Sequence, residues 1–256
     1  MELLSNPNAW IALLTLTFLE IVLGIDNIIF ISIATGKLPE DQRKRATKIG
    51  MFLAMFMRIL LLLGITVLIA MKEPWFSFDW GFISAQVSGQ GVILLLGGLF
   101  LIYKSTSEIH EKVDQKGENE IERTKTAAKT FGSVIVQIIL IDIVFSFDSI
   151  LTAVGMTNGV EGALYIMITA VVISVLIMMQ FAVPVGNFVN KHPSIQILGL
   201  SFLILIGFML ITEAAHLSNA LIFGNHVTPI PKGYLYFAIA FSLLVEVLNM
   251  KMSKKK

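Results

Sequence analysis

Two segments of this chain carry carboxylates in otherwise apolar surroundings. One reads Leu19-Glu20-Ile21-Val22-Leu23-Gly24-Ile25-Asp26-Asn27-Ile28. The other reads Ile141-Asp142-Ile143-Val144-Phe145-Ser146-Phe147-Asp148-Ser149-Ile150. Acid aligns with acid at Glu20/Asp142 and at Asp26/Asp148, and small polar residues align at Asn27/Ser149. Carboxylate, amide and hydroxyl oxygens without thiolates suit hard cations such as Mg²⁺, Ca²⁺ or Mn²⁺. On a straight helix Glu20 and Asn27 share a face, as do Asp142 and Ser149, while Asp26 and Asp148 lie about 120° away. Gly24 or Ser146 could mark an unwound point that turns both acids of a segment into one cavity.

These segments sit in a chain built for a bilayer. Of 256 residues, 55% are hydrophobic and 14% charged, against about 25% charged in soluble domains. Seven stretches are apolar enough to span, at 9–35, 49–71, 91–105, 132–156, 163–186, 195–216 and 233–250. The third and seventh are short by that standard. The first lacks the positive flank and small-residue cleavage site of a signal peptide, so it is expected to remain as a span. The gaps carry turn signals such as Leu38-Pro39, Glu73-Pro74, His192-Pro193 and Pro229-Ile230-Pro231. Sixteen lysines and arginines fall on one side and two, Lys72 and Lys232, on the other, with Arg58 inside the second span. The N-terminus is therefore expected outside and the C-terminus in the cytoplasm.

The duplication extends beyond the acids. Met57-Arg58 lies as far beyond Asp26 as Met179-Gln180 lies beyond Asp148. Gly98-Leu99-Phe100-Leu101-Ile102 in the third span matches Gly207-Phe208-Met209-Leu210-Ile211 in the sixth. The reading is an all-α membrane protein with two inverted three-helix repeats, 1–105 and 132–216. A charged cytoplasmic linker, 106–131, joins them, and 217–256 adds a loop, a seventh helix and a basic tail. Such repeats place a substrate site near the midplane between them.

Buried acids demand compensation. Each costs on the order of 2.5–3.5 kcal/mol at mid-membrane, so four cost roughly 10 kcal/mol unless they protonate, pair or bind a cation. With Arg58 the four ionised acids sum to −3, which a divalent cation and a proton would neutralise. The candidate transport and ion-binding residues are therefore Glu20, Asp26, Asn27, Asp142, Asp148 and Ser149, with the four acids as metal ligands. Arg58 and Gln180 are the charge-balancing positions. The twelve methionines are expected to pack or face lipid. Glu213 and Glu246 lie near span ends, where a charge is cheaper, and His216 and His226 read as surface residues. With no cysteine, disulfides, thiolate metal sites and cysteine nucleophiles are excluded. No hydrolase, zinc-protease, phosphate-loop or dinucleotide motif is present, so no enzyme and no resident cofactor is expected. A net charge of +1 gives no field for nucleic acid.

Several segments together resemble the TerC family of bacterial membrane proteins. They are Leu19 to Asn27, Leu96-Gly97-Gly98-Leu99-Phe100-Leu101, Glu108-Ile109-His110-Glu111, Phe145-Ser146-Phe147-Asp148-Ser149, and Pro231-Lys232-Gly233-Tyr234 through Glu246. The likeness is to short members without appended cytoplasmic domains. It implies a seven-helix fold in the inner membrane and a role in metal-ion homeostasis, with Mn²⁺ as the exported ion. The family's acidic motif falls on Glu20, Asp26, Asp142 and Asp148. The alternatives are a membrane scaffold with structural acids, recruiting a cytoplasmic protein through 105–131, and an exporter of a small organic solute.

Overall fold

The computed structural model describes residues 7–114, 130–157, 160 and 162–253; within them, the side chains of Asp26 and Ser253 lie outside the description. Among the described residues, twelve elements follow in chain order. The first helices are α1 (Pro7–Gly36), α2 (Glu40–Leu63) and α3 (Ile65–Ala70). A hairpin of β1 (Pro74–Asp79) and β2 (Ile83–Ser88) leads into α4 (Gly89–Asp114). Then come α5 (Phe131–Met156), α6 (Ala163–Lys191) and α7 (Pro193–Leu217). The short strands β3 (Leu221–Ile222) and β4 (Asn225–His226) precede α8 (Lys232–Ser253). Among the described residues, all the helices except α3 are long and apolar enough to cross a membrane, seven in number.

Local chemistry sets the ends. Pro39 holds an extended conformation before α2, and Glu40 and Asp41 occupy its first turn, where the helix dipole favours acids. Gly64 closes α2, its N–H reaching Leu60 O at 3.0 Å. The Thr130 hydroxyl accepts from Ser133 N at 3.4 Å and caps α5. Pro193 opens α7 at a position where a missing N–H costs nothing.

Contacts divide the chain into two compact units, each drawing on both halves of the sequence. The first combines 1–70 with 128–190, hence α1, α2, α3, α5 and most of α6. In it α5 packs against both α1 and α2. The core side chains include Leu16, Phe30, Leu62, Ile138, Phe147 and Ile150.

The second unit combines 71–127 with 191–256, and its main interface joins α4 to α7. Gly98 and Gly207, the pair matched by the repeat alignment, meet there reciprocally. A Cβ on Gly98 would lie 2.6 Å from Gly207 O, and a Cβ on Gly207 would lie 2.8 Å from Gly98 O. Ile102 and Ile211, also matched, flank the contact from opposite sides. Farther along, Lys112 donates to Gln196, and Lys104 pairs with the buried Glu108 at 2.8 Å.

The helix α4 runs to Asp114, into the charged linker read at 106–131, and residues 115–129 of that linker lie outside the described ones. Two expectations need correction. Neither Gly24 nor Ser146 unwinds its helix, since α1 and α5 are continuous through both. The gaps also hold more than turns. The four strands form an antiparallel sheet in the order β1-β2-β3-β4, part of the second unit. Its exposed side chains include Trp75, Phe76 and Ile222, with Trp80, Phe82 and Phe223 in the adjoining turns.

Candidate functional site

The chemistry gathers in the first unit, where α1, α2 and α5 meet. Glu20, Arg58, Asp142 and Ser146 are 3%, 4%, 7% and 0% exposed. Arg58 enters from α2 and uses three nitrogens. Nη1 pairs with Glu20 Oε2, Nη2 lies 3.2 Å from Asp142 Oδ1, and Nε donates to Ser146 Oγ at 2.9 Å. Ser146 in turn donates its hydroxyl proton to Asp142 Oδ2 at 3.1 Å. Asn27 Nδ2 makes a long contact of 3.5 Å with Asp142 Oδ1. A guanidinium is suited to this because its donors are planar, fixed and permanently charged. Two ionised carboxylates against one arginine leave the cluster at −1.

Sequence spacing explains the convergence. Asp142 and Ser146 are one turn apart on α5, and Glu20, Gly24 and Asn27 stack on one face of α1. Gly24 has a steric task there. Met178 Sδ of α6 packs into the space a Cβ would need, so any larger residue would collide with it. Beside the ion cluster lies a cavity of about 20 Å³, lined among others by Gly24, Asn27, Met51, Met55 and Met178. On the other side, Glu20 borders a smaller one of about 10 Å³ together with Leu16 and Leu62. Leu16, almost fully buried, also borders a wider cavity of about 210 Å³ with Asn8, Thr15 and Thr157. Leu16 thus borders two of these spaces, and members of the Arg58 cluster border two.

The remaining candidates distribute as follows. Glu20, Asn27, Asp142 and Arg58 come together. Asp148 is half-buried on α5, and its carbonyl accepts from Thr152 at 3.0 Å. Ser149 is buried and donates to Ser146 O at 3.2 Å. Asp26 belongs to α1, but its side chain is outside those described. Gln180 is exposed on α6, at the carbonyl that Pro184 leaves without its usual helical donor. Glu213 and Glu246 are half-buried, and the exposed His216 places Nδ1 3.3 Å from Val227 O. Among the described residues, no three His, Asp or Glu side chains form a group able to hold a metal ion. Sequence reasoning misses two participants, since it treats Ser146 as a helix break and gives Met178 no position of its own among methionines read mainly as packing or lipid-facing residues. The one-turn offset of Ser146 from Asp142 is a signal that could have made it a partner of Arg58, whereas nothing in the sequence places Met178 against Gly24.

Comparison with known proteins agrees with the residue pattern. Residues 5–256 match the family described as "Integral membrane protein TerC family". The chain is 49% identical over 252 residues to UPF0053 inner membrane protein YgdQ of Escherichia coli K12, covering 98% of this chain and 97% of that one. It is 45% identical over 253 residues to a UPF0053 protein of Haemophilus influenzae, covering 99% and 98%. It is also 44% identical over 249 residues to UPF0053 protein YegH of E. coli K12, where the match spans 97% of this chain but 43% of the longer relative. No solved structure matches. A family match over nearly the whole chain, two relatives matched over nearly their whole length and seven helices able to span lead to one statement: this chain belongs to the TerC family of integral membrane proteins.

Proposed function

We propose that the protein is a secondary transporter of the inner membrane that exports a divalent metal cation, with Mn²⁺ as its substrate and protons as the coupling ion. The observation that carries this reading is Arg58 held between Glu20 and Asp142, acids that occupy matching positions in the two copies of the repeat. In this arrangement the arginine is the counter-ion. A dication entering the same space would compete with it for the carboxylates, so cation binding requires Arg58 to release at least one acid. Protonation of the released group offers a route to coupling, because a bare carboxylate there has lost its compensation. Asp26, Asp148 and Ser149 are proposed to complete the oxygen ligands. The choice of manganese comes from the family resemblance, and hard-oxygen ligands are compatible with it. The inverted relation of the repeats is supported by the reciprocal Gly98/Gly207 contact. The inner-membrane assignment follows the YgdQ name, and the basic-residue asymmetry supports an external N-terminus and cytoplasmic C-terminus.

Proteoliposomes test the proposal. Wild-type protein should move Mn²⁺ down an imposed gradient. Glu20→Gln, Asp26→Asn, Asp142→Asn and Asp148→Asn should each lower the rate by about tenfold or more while the protein still inserts and folds. Wild-type rates from all four variants would leave the acids a structural role and favour a scaffold.

A further inference from the structure

We propose that the interior of the first unit carries one half of the transport path. The space between the start of α1 and the end of α5 is its water-facing vestibule, and Leu16, with Leu62 and Ile150, is the apolar gate that shuts this vestibule off from the Glu20–Arg58–Asp142 cluster. This deepens the transport reading and rests on it, since it names the side from which the cluster is reached.

The helices set the three spaces in one order. Along α1 the widest space takes Asn8 to Leu16, the smallest takes Leu16 and Glu20, and the third takes Gly24 to Ile28. The chain of α5 meets them in reverse, with Met156 at the widest, Ile150 and Ala153 at the smallest and Asp142 at the third. On α2, Leu62 borders the smallest and Arg58 the third, and on α6 Val171 precedes Val175 in the same way. The spaces therefore succeed one another along the bundle axis. From Asn8 to Ile28 the helix rises about 30 Å, the thickness of a bilayer's hydrocarbon core.

The two spaces nearest the start of α1 differ in character. The widest, about 210 Å³, includes Asn8, Thr15 and Thr157 in its lining, so it is roomy and polar enough for water. It ends at Leu16. The next space, about 10 Å³, is at the lower limit for a single water, and Glu20 is the one polar side chain in its lining. Leu16, Leu62 and Ile150 are almost completely buried there. A constriction this narrow and apolar stays dry, and a dry layer stops ions without any charge to repel them. Leu16 and Glu20 are one helical turn apart, so the gate is a single layer of side chains.

The opposite direction is closed differently. Beyond the cluster every residue of α1 from Ile28 to Thr35 is buried, a stretch of about 12 Å. Polar contacts tie it down. Thr47 of α2 donates to Thr35 Oγ1 at 3.4 Å, and a Cβ on Gly186 of α6 would lie 3.0 Å from Ser32 Oγ. One direction thus needs the displacement of one leucine layer and the other the parting of several turns. Alternating access to a site near the midplane requires a closure on each side, and in this structure the thinner one is at Leu16.

The chain has no cysteine, so single cysteines report without background. The test treats full-length protein in membrane vesicles of both orientations with a charged, membrane-impermeant methanethiosulfonate. A cysteine placed before Met1 marks the face on which α1 starts. From that face Thr15→Cys and Thr157→Cys should label readily. Ala153→Cys, behind the gate, should label slowly, because it reacts only when the layer opens, and Leu16→Ala should speed it by about tenfold or more. Ile138→Ala is the control, since Ile138 is equally buried in the first unit but borders none of the three spaces. Silent cysteines at 15 and 157, Ala153→Cys labelling faster from the opposite face, no effect of Leu16→Ala, or an equal effect of Ile138→Ala would each overturn the gate. Labelling needs no transport, so failure of the wild type to move Mn²⁺ would sink the transport reading and leave this pattern legible.

Discussion

Arg58 is where the energetics of the site concentrate. Its positive charge offsets two carboxylates that have almost no water. Removing one partner of a buried ion pair costs about 3–5 kcal/mol, mostly because a charge is left uncompensated. Arg58→Gln should therefore lower thermal stability in detergent strongly. Adding Asp142→Asn to that variant should restore part of the loss, since the orphaned charge disappears. A double variant no more stable than Arg58→Gln alone would show that the three groups do not act as one cluster. Much of this cluster is legible in the sequence. The acids repeat at equal spacing, and Arg58 is the basic residue inside a span. The partner list is not legible. Ser146 and Gly24 look like helix breaks, yet one relays a hydrogen bond and the other clears space for Met178. Both roles depend on which helix packs opposite, and no one-dimensional pattern carries that.

Among the elements, α4 and α7 depend most on close approach. Alanine at Gly98 or Gly207 would push its methyl into the facing carbonyl, an overpacking that costs about 1–3 kcal/mol. At Gly155, near the end of α5, an added methyl would meet nothing within 4 Å, so Gly155→Ala should be neutral or stabilising by about 0.5–1 kcal/mol. Thermal unfolding of the three variants would check the contrast, and equal losses at all three would contradict it. The helices themselves are legible from hydropathy, except at two kinds of place. The third span looks short because Lys104 and Glu108 interrupt the apolar run, yet these two neutralise each other one turn apart and the helix continues. The strands escape notice because β1 is exposed along nearly its whole length, so it lacks the alternation that marks a half-buried strand.

For the whole molecule, orientation is the plainest test. A reporter after Lys256 should be cytoplasmic and one before Met1 external, as the sixteen-to-two division of basic residues requires. A cytoplasmic N-terminus would overturn both the span count and the inverted repeat. The hairpin between the second and third spanning helices bears on the same question through a different property. Two of the three tryptophans, Trp75 and Trp80, stand exposed on it, 64% and 72% accessible. Indole rings gather at the level of lipid headgroups. In a Trp10→Phe background all tryptophan emission would come from this hairpin, and lipids brominated near the headgroup should quench it more than lipids brominated at the chain ends. The fold thus carries its own optical depth gauge, one that would register any vertical displacement of the hairpin as the protein works.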